Sequence, residues 1–231
     1  MPSESEVDPE EVARHRQWLA ENEERMKTKS DEYAAGRAHL ANDQRECVQE
    51  LKADGNEAFK KGSTAMALDL YSQAIQMDRQ CGNDDKVTAV LYLNRAACYL
   101  KQAEVGHDEA WADAERDCRR SLERSPTVKA YVRCARALSE GLQRPNDALA
   151  CLAEALLLEP ASSFVRQAIT SLKAEQPPDA PALVVPETVL VRARRRLGQR
   201  AERGQDKDAA VYSEVLALLD PPQIREHESS V

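Results

Sequence analysis

An all-α protein built from repeated helix pairs is what this sequence predicts, on three observations. Ala, Leu, Glu, Arg and Lys dominate, whereas aromatics make up 4% of the chain and glycines number only 8, so helix is favoured and sheet has little material. Small residues recur between Val48 and Pro160 where paired helices would have to approach closely. Pro126 and Pro160 each fall where such a pair would end, because proline cannot continue a helix.

With 231 residues there is room for one domain and flanking extensions. Residues 1–45 are highly charged and read as a helical extension, in which Leu19, Met26, Tyr33, Leu40 and Cys47 form one narrow apolar line. Residues 46–175 carry three helix pairs and a capping helix. The first pair, from Val48, sets small Gly55, Ala67 and Ala74 beside larger Leu51, Phe59, Leu68 and Tyr71. The second repeats the scheme with Ala96, Tyr99, Ala114 and Ser121, and its surplus residues are expected in the turn around Glu104 to Glu109. The third uses Tyr131, Ala135, Leu138, Ala148, Leu152 and Ala155, with Pro145 suited to a first helical turn. Phe164, Val165, Ala168, Ile169 and Leu172 then give an amphipathic helix able to cover the last pair.

Four prolines make 176–187 a linker or an extended strap. Residues 188–221 read as a helical segment, a possible degenerate repeat, and 222–231 as a polar, disordered tail.

The net charge of −8 argues against diffuse attraction to nucleic acid or anionic lipid, so any anion site must be local. No run of 18 apolar residues is present and the N-terminus is acidic, which points to a cytoplasmic protein without a membrane partner. The six cysteines never form Cys-x-x-Cys and read as reduced packing residues; the four histidines are equally scattered. The sequence therefore suggests no metal, no cofactor and no catalytic residue. Arg192, Arg194, Arg195, Arg196, Arg200 and Arg203 read as a solvated helix face paired with acidic neighbours, and Ser229-Ser230-Val231 as a chance tail more than a recognition motif.

The period near the roughly 34 residues of a known repeat, with Gly55, Phe59, Ala67, Tyr71 and Ala74 and their counterparts, resembles the tetratricopeptide repeat. That resemblance implies a right-handed superhelix whose first helices line a groove for a peptide or partner protein. Lys52, Asn56, Asn94, Lys129 and Arg133 further resemble the dicarboxylate clamp of co-chaperones that bind the Glu-Glu-Val-Asp tails of heat-shock protein 90 and heat-shock protein 70. Within that group the repeats are most similar to those of the myosin-directed UCS chaperones, but the armadillo-type, myosin-binding region has no counterpart here, so only chaperone docking is carried over.

The chemistry of the five residues is consistent with that role. Lys52 and Asn56 stand four apart, as do Lys129 and Arg133, so each pair shares one helix face. Two ammonium groups, two carboxamides and a guanidinium can donate charge-assisted bonds to both carboxylates of a terminal Asp. At about 1.5–3 kcal/mol each, a few such bonds give roughly micromolar binding after the ordering cost. The sequence thus suggests a co-chaperone adaptor that also holds an unidentified client, with no enzymatic activity. The alternative is a scaffold subunit whose groove is filled by another segment.

Overall fold

A computed structural model describes residues 9–80, 84–177, 179–202 and 206–219. Every regular element among them is helical. Two compact units divide at Cys47, and helix α1 (Pro9–Lys60) contributes to both.

In the first unit α1 opens on Pro9, a position where the missing amide donor costs nothing. No further proline occurs before Pro126, so the helix meets no obligatory break. Its described side chains are largely solvent-facing, with Trp18 and Leu40 exposed and His39 bonded to Asp43 at 2.9 Å. Of the narrow apolar line, Leu19, Met26 and Tyr33 lie outside the described side chains.

The second unit is a succession of helix hairpins: α1 with α2 (Thr64–Gln80), α3 (Asp85–Glu104) with α4 (Glu109–Arg124), and α5 (Val128–Arg136) with α6 (Pro145–Leu158). Two glycines set the first two turns. Gly62 (φ 81°) follows α1, with Gly62 N–H donating to Phe59 O and Ser63 N–H to Ala58 O at 3.0 and 2.9 Å. Gly106 (φ 98°) follows α3 in the same way, donating to Ala103 O while His107 N–H reaches Gln102 O. This left-handed stop satisfies helix-end carbonyls, and only glycine adopts it freely. The surplus of the second repeat falls around this turn, which spans 105–108 against 61–63 in the first, with the end of α3 and the start of α4 lengthened beside it; α3 also begins early, at Asp85. The Asp84 carboxylate caps it, accepting from Lys86 N and Val87 N.

Close crossing explains the small residues. A Cβ at position 55 would stand 2.7 Å from the Tyr71 ring, so the α1–α2 contact requires glycine. Val48, Ala58, Ala67, Tyr71, Ala74, Ile75, Leu91, Tyr92 and Cys98 close a first core around that contact. The last turn after α5 is a π turn, Ala137–Gly141, where the Trp111 indole lies against Gly141 and would overlap any added Cβ.

A larger core gathers α4 to α9. Leu138, Leu149 and Leu156 meet Val165 and Ile169 of the capping helix α7 (Ser163–Ala174). Leu183 and Val185 of the proline-rich segment are buried in the same core, which makes it a strap and not a free linker. Val189, Leu190 and Ala193 of α8 (Glu187–Glu202) and Val215 and Leu219 of α9 (Asp206–Leu219) complete it. On α8, Arg192 pairs with Glu154 at 2.6 Å and Arg194 with Glu187 at 3.5 Å, while Arg195 and Arg196 face solvent. Arg203, the Arg200 side chain and the whole expected tail, 222–231, with its Ser229-Ser230-Val231 end, lie outside the described residues. No helix among the described residues is long and apolar enough to cross a membrane.

Candidate peptide-binding site

The first helix of each hairpin delivers a polar side chain, and α1 delivers two, to a common cavity. Asn56 comes from α1, Asn94 from α3 and Arg133 from α5, and together with Phe59, Lys60, Tyr71 and Ala97 they line a volume of about 190 Å³. Hairpin stacking causes this convergence, because equivalent faces of successive first helices repeat side by side.

Hydrogen bonds fix the orientation of the amides. The Tyr71 hydroxyl donates to Asn56 Oδ1 at 2.8 Å, and Asn94 Nδ2 donates to the same oxygen at 3.0 Å. With its oxygen held twice, Asn56 keeps its Nδ2 donors for a ligand. Arg133 spends one N–H on Leu93 O at 2.7 Å, which pins the guanidinium while its other donors remain for a planar acceptor. Burial lowers the Arg133 pKa, and nearby Cys118, Cys98 and Tyr71 oppose that shift. A guanidinium stays charged at neutral pH even so. Burial chiefly pushes the Tyr71 hydroxyl up to about 12, so it remains a protonated donor to Asn56.

The lining contains Lys60 and Arg133 and no carboxylate, in a chain whose net charge is −8. The cavity is therefore a local positive site with apolar walls from Phe59, Tyr71 and Ala97.

Two of the expected residues are not part of the lining. Half-buried Lys52 donates to Gln49 Oε1 on its own helix, and Lys129 is exposed. Each stands one turn before a lining residue, Asn56 or Arg133, on a long flexible stem. Conversely, Lys60 was not singled out from the sequence, although it continues the four-residue spacing Lys52, Asn56, Lys60 on one face of α1. Tyr71 was read as packing alone, and its hydroxyl also orients Asn56.

A second cavity of about 240 Å³ lies between α5, α6 and α7, with Phe164 and Leu172 in its walls. Its cation, Arg136, is already paired with Glu104 at 2.7 Å and Glu140 at 2.9 Å. The smaller cavity therefore has the better chemistry for an anion, despite its size. Among the described residues no cluster of His, Cys, Asp and Glu could hold a metal ion.

Antiparallel helix hairpins that cross at small residues and place polar side chains of their first helices in one cavity define a tetratricopeptide-repeat fold. No family model matches the sequence. The chain is similar to the mitochondrial import receptor subunit TOM34 of Pongo abelii, 39% identical over 94 residues, which is 40% of this chain and 28% of that protein. The match thus spans little more than a quarter of the relative's length. Among solved structures, the Arabidopsis OM64 TPR domain aligns with a TM-score of 0.49 and 28% identity, over 58% of this chain and 99% of that one. The first TPR of Spaghetti (RPAP3), solved with the HSP90 peptide SRMEEVD, aligns with a TM-score of 0.47 and 26% identity, over 56% and 94%.

Proposed function

We propose that this protein is a cytoplasmic co-chaperone adaptor that captures the acidic C-terminal tail of heat-shock protein 90 or heat-shock protein 70 and releases it without chemical change. The observation that carries this reading is the cavity shared by Asn56, Asn94 and Arg133, which come from three successive hairpins and meet no carboxylate there. A terminal Asp fits that chemistry because it offers two carboxylates on one residue to carboxamide and guanidinium donors. Lys129 and Lys52 act from outside the lining. Their ammonium groups swing onto the peptide when it arrives, Lys52 exchanging its Gln49 bond for one to the ligand, which is a small motion on a four-carbon stem.

Direct calorimetric titration of the whole chain with the two acidic tail peptides tests this. Binding should be roughly micromolar. Arg133→Ala should weaken it by about tenfold to a hundredfold, the loss of one shielded charged bond of about 1.5–3 kcal/mol. Lys129→Ala should weaken it less, because that side chain is exposed. Unchanged affinity in Arg133→Ala would remove the proposed role. Recovery of a tight stoichiometric partner that blocks the tail peptide would instead favour a scaffold whose groove is filled by another protein segment.

A further inference from the structure

Four arginines surround one tyrosine on the side of α3 turned away from the cavity. Tyr92 precedes Asn94 by two positions, so it lies about 200° round the helix. Its ring is buried, and the guanidinium carbons of Arg95, Arg120 and Arg124 stand 5.5, 5.5 and 5.2 Å from the ring centre. Arg79, from α2, donates to the Tyr92 hydroxyl at 2.6 Å.

Only one of these cations is fully met. Arg95 makes a two-pronged pair with buried Asp117, at 2.7 and 3.0 Å, and donates to Ser72 at 3.0 Å. That carboxylate reaches Arg120 only at 3.5 Å. Arg124 uses one N–H on Arg120 O at 2.9 Å, its Nε is 3.8 Å from Asp85, and that Nε has no hydrogen-bond partner. Buried Asp78 accepts from Thr88 and from the Asp84 amide, and the Asp84 carboxylate is taken up by the N-terminal amides of α3. Guanidiniums gathered on one ring repel each other, and the cation–π attraction of about 0.5–2 kcal/mol each offsets this only in part. Carboxylates stand nearby at Asp117, Asp85, Asp84 and Asp78, but the one close two-pronged pair is Asp117 with Arg95, and Arg120 and Arg124 face theirs only at 3.5 and 3.8 Å.

We propose that Arg79, Arg120 and Arg124 form a second anion site that takes a phosphate group carried on a phosphorylated side chain of a partner protein. Planar guanidiniums match phosphate oxygens in pairs, and a phosphate monoester brings close to two negative charges at neutral pH. Arg79 is exposed and the Arg120 side chain is 41% exposed, so the site opens outward and suits a group presented by another surface more than a small ion needing enclosure. Being on the opposite side of α3, it leaves the tail-binding cavity free, and both sites can be occupied together.

The test is a titration of the isotopically labelled full chain, followed by amide resonances, with three probes: a phosphoserine peptide of otherwise neutral sequence, its unphosphorylated form, and inorganic phosphate. The phosphoserine peptide should shift α2 and α4 resonances saturably, and the unphosphorylated form should not. Added salt should weaken the effect. Inorganic phosphate should act at the same residues more weakly; equal strength would identify the free ion as ligand of the same site. Arg79→Gln with Arg120→Gln should reduce phosphopeptide affinity at least tenfold, while an acidic tail peptide still binds at the Arg133 cavity, which certifies the fold. No saturable shift, an undiminished response in the double variant, or shifts confined to the Arg133 cavity would each overturn the proposal.

Discussion

Asn56 illustrates how a single side chain is made competent. Its oxygen accepts from Tyr71 and Asn94, so its amide protons are committed to the cavity before any ligand arrives. Such preorganisation lowers the ordering cost of binding. Tyr71→Phe removes one of those two bonds without changing the packing of the ring on Gly55. Peptide affinity should fall severalfold and stability by about 1 kcal/mol, measured by calorimetry and denaturant unfolding. The sequence shows the types and spacing of Lys52, Asn56, Asn94, Lys129 and Arg133. It does not show that Arg133 is pinned by Leu93 O, nor that Lys60 and not Lys52 lines the cavity, because both depend on side-chain torsions and on a neighbouring helix.

Among the elements, the hairpins were legible from small-residue periodicity, since Gly55 against Tyr71 leaves no room for a Cβ. The strap was less so. Proline content marked 176–187 as non-helical, but burial of Leu183 and Val185 depends on the surface that α6 and its neighbours offer them. The π turn at Ala137–Gly141 was invisible as well, because it answers to the Trp111 indole from α4, remote in sequence. Between α3 and α4 the register is held by a buried ion pair, with Asp117 only 2% exposed against Arg95. Removing one partner strands the other charge, so Asp117→Ala should cost about 3–5 kcal/mol by chemical denaturation. A loss below 1 kcal/mol would mean that water reaches Arg95.

For the whole molecule, buried protonated groups set the response to alkali. Burial raises the Cys98 thiol from 9.0 to about 12 and the Tyr71 hydroxyl from 10.0 to about 12, and it pushes Cys118 higher still. These groups favour the folded state while they hold their protons. Below about pH 9 the unfolded chain holds them too and stability does not vary with them. Above that the unfolded chain loses protons that the folded one keeps, so stability should fall progressively toward pH 12. Thermal unfolding from pH 7 to 11 should show a flat region followed by a falling melting temperature. Among the described cysteines, Cys98, Cys118 and Cys134 are buried free thiols, which supports their reading as packing residues. The account rests above all on recognition of a free terminal carboxylate by donors from three hairpins. Calorimetric titration of the intact chain with one acidic tail peptide, as the free acid and as the C-terminal amide, tests it most directly. The free acid should bind at roughly micromolar strength and the amide at least tenfold more weakly, while equal affinities would contradict it.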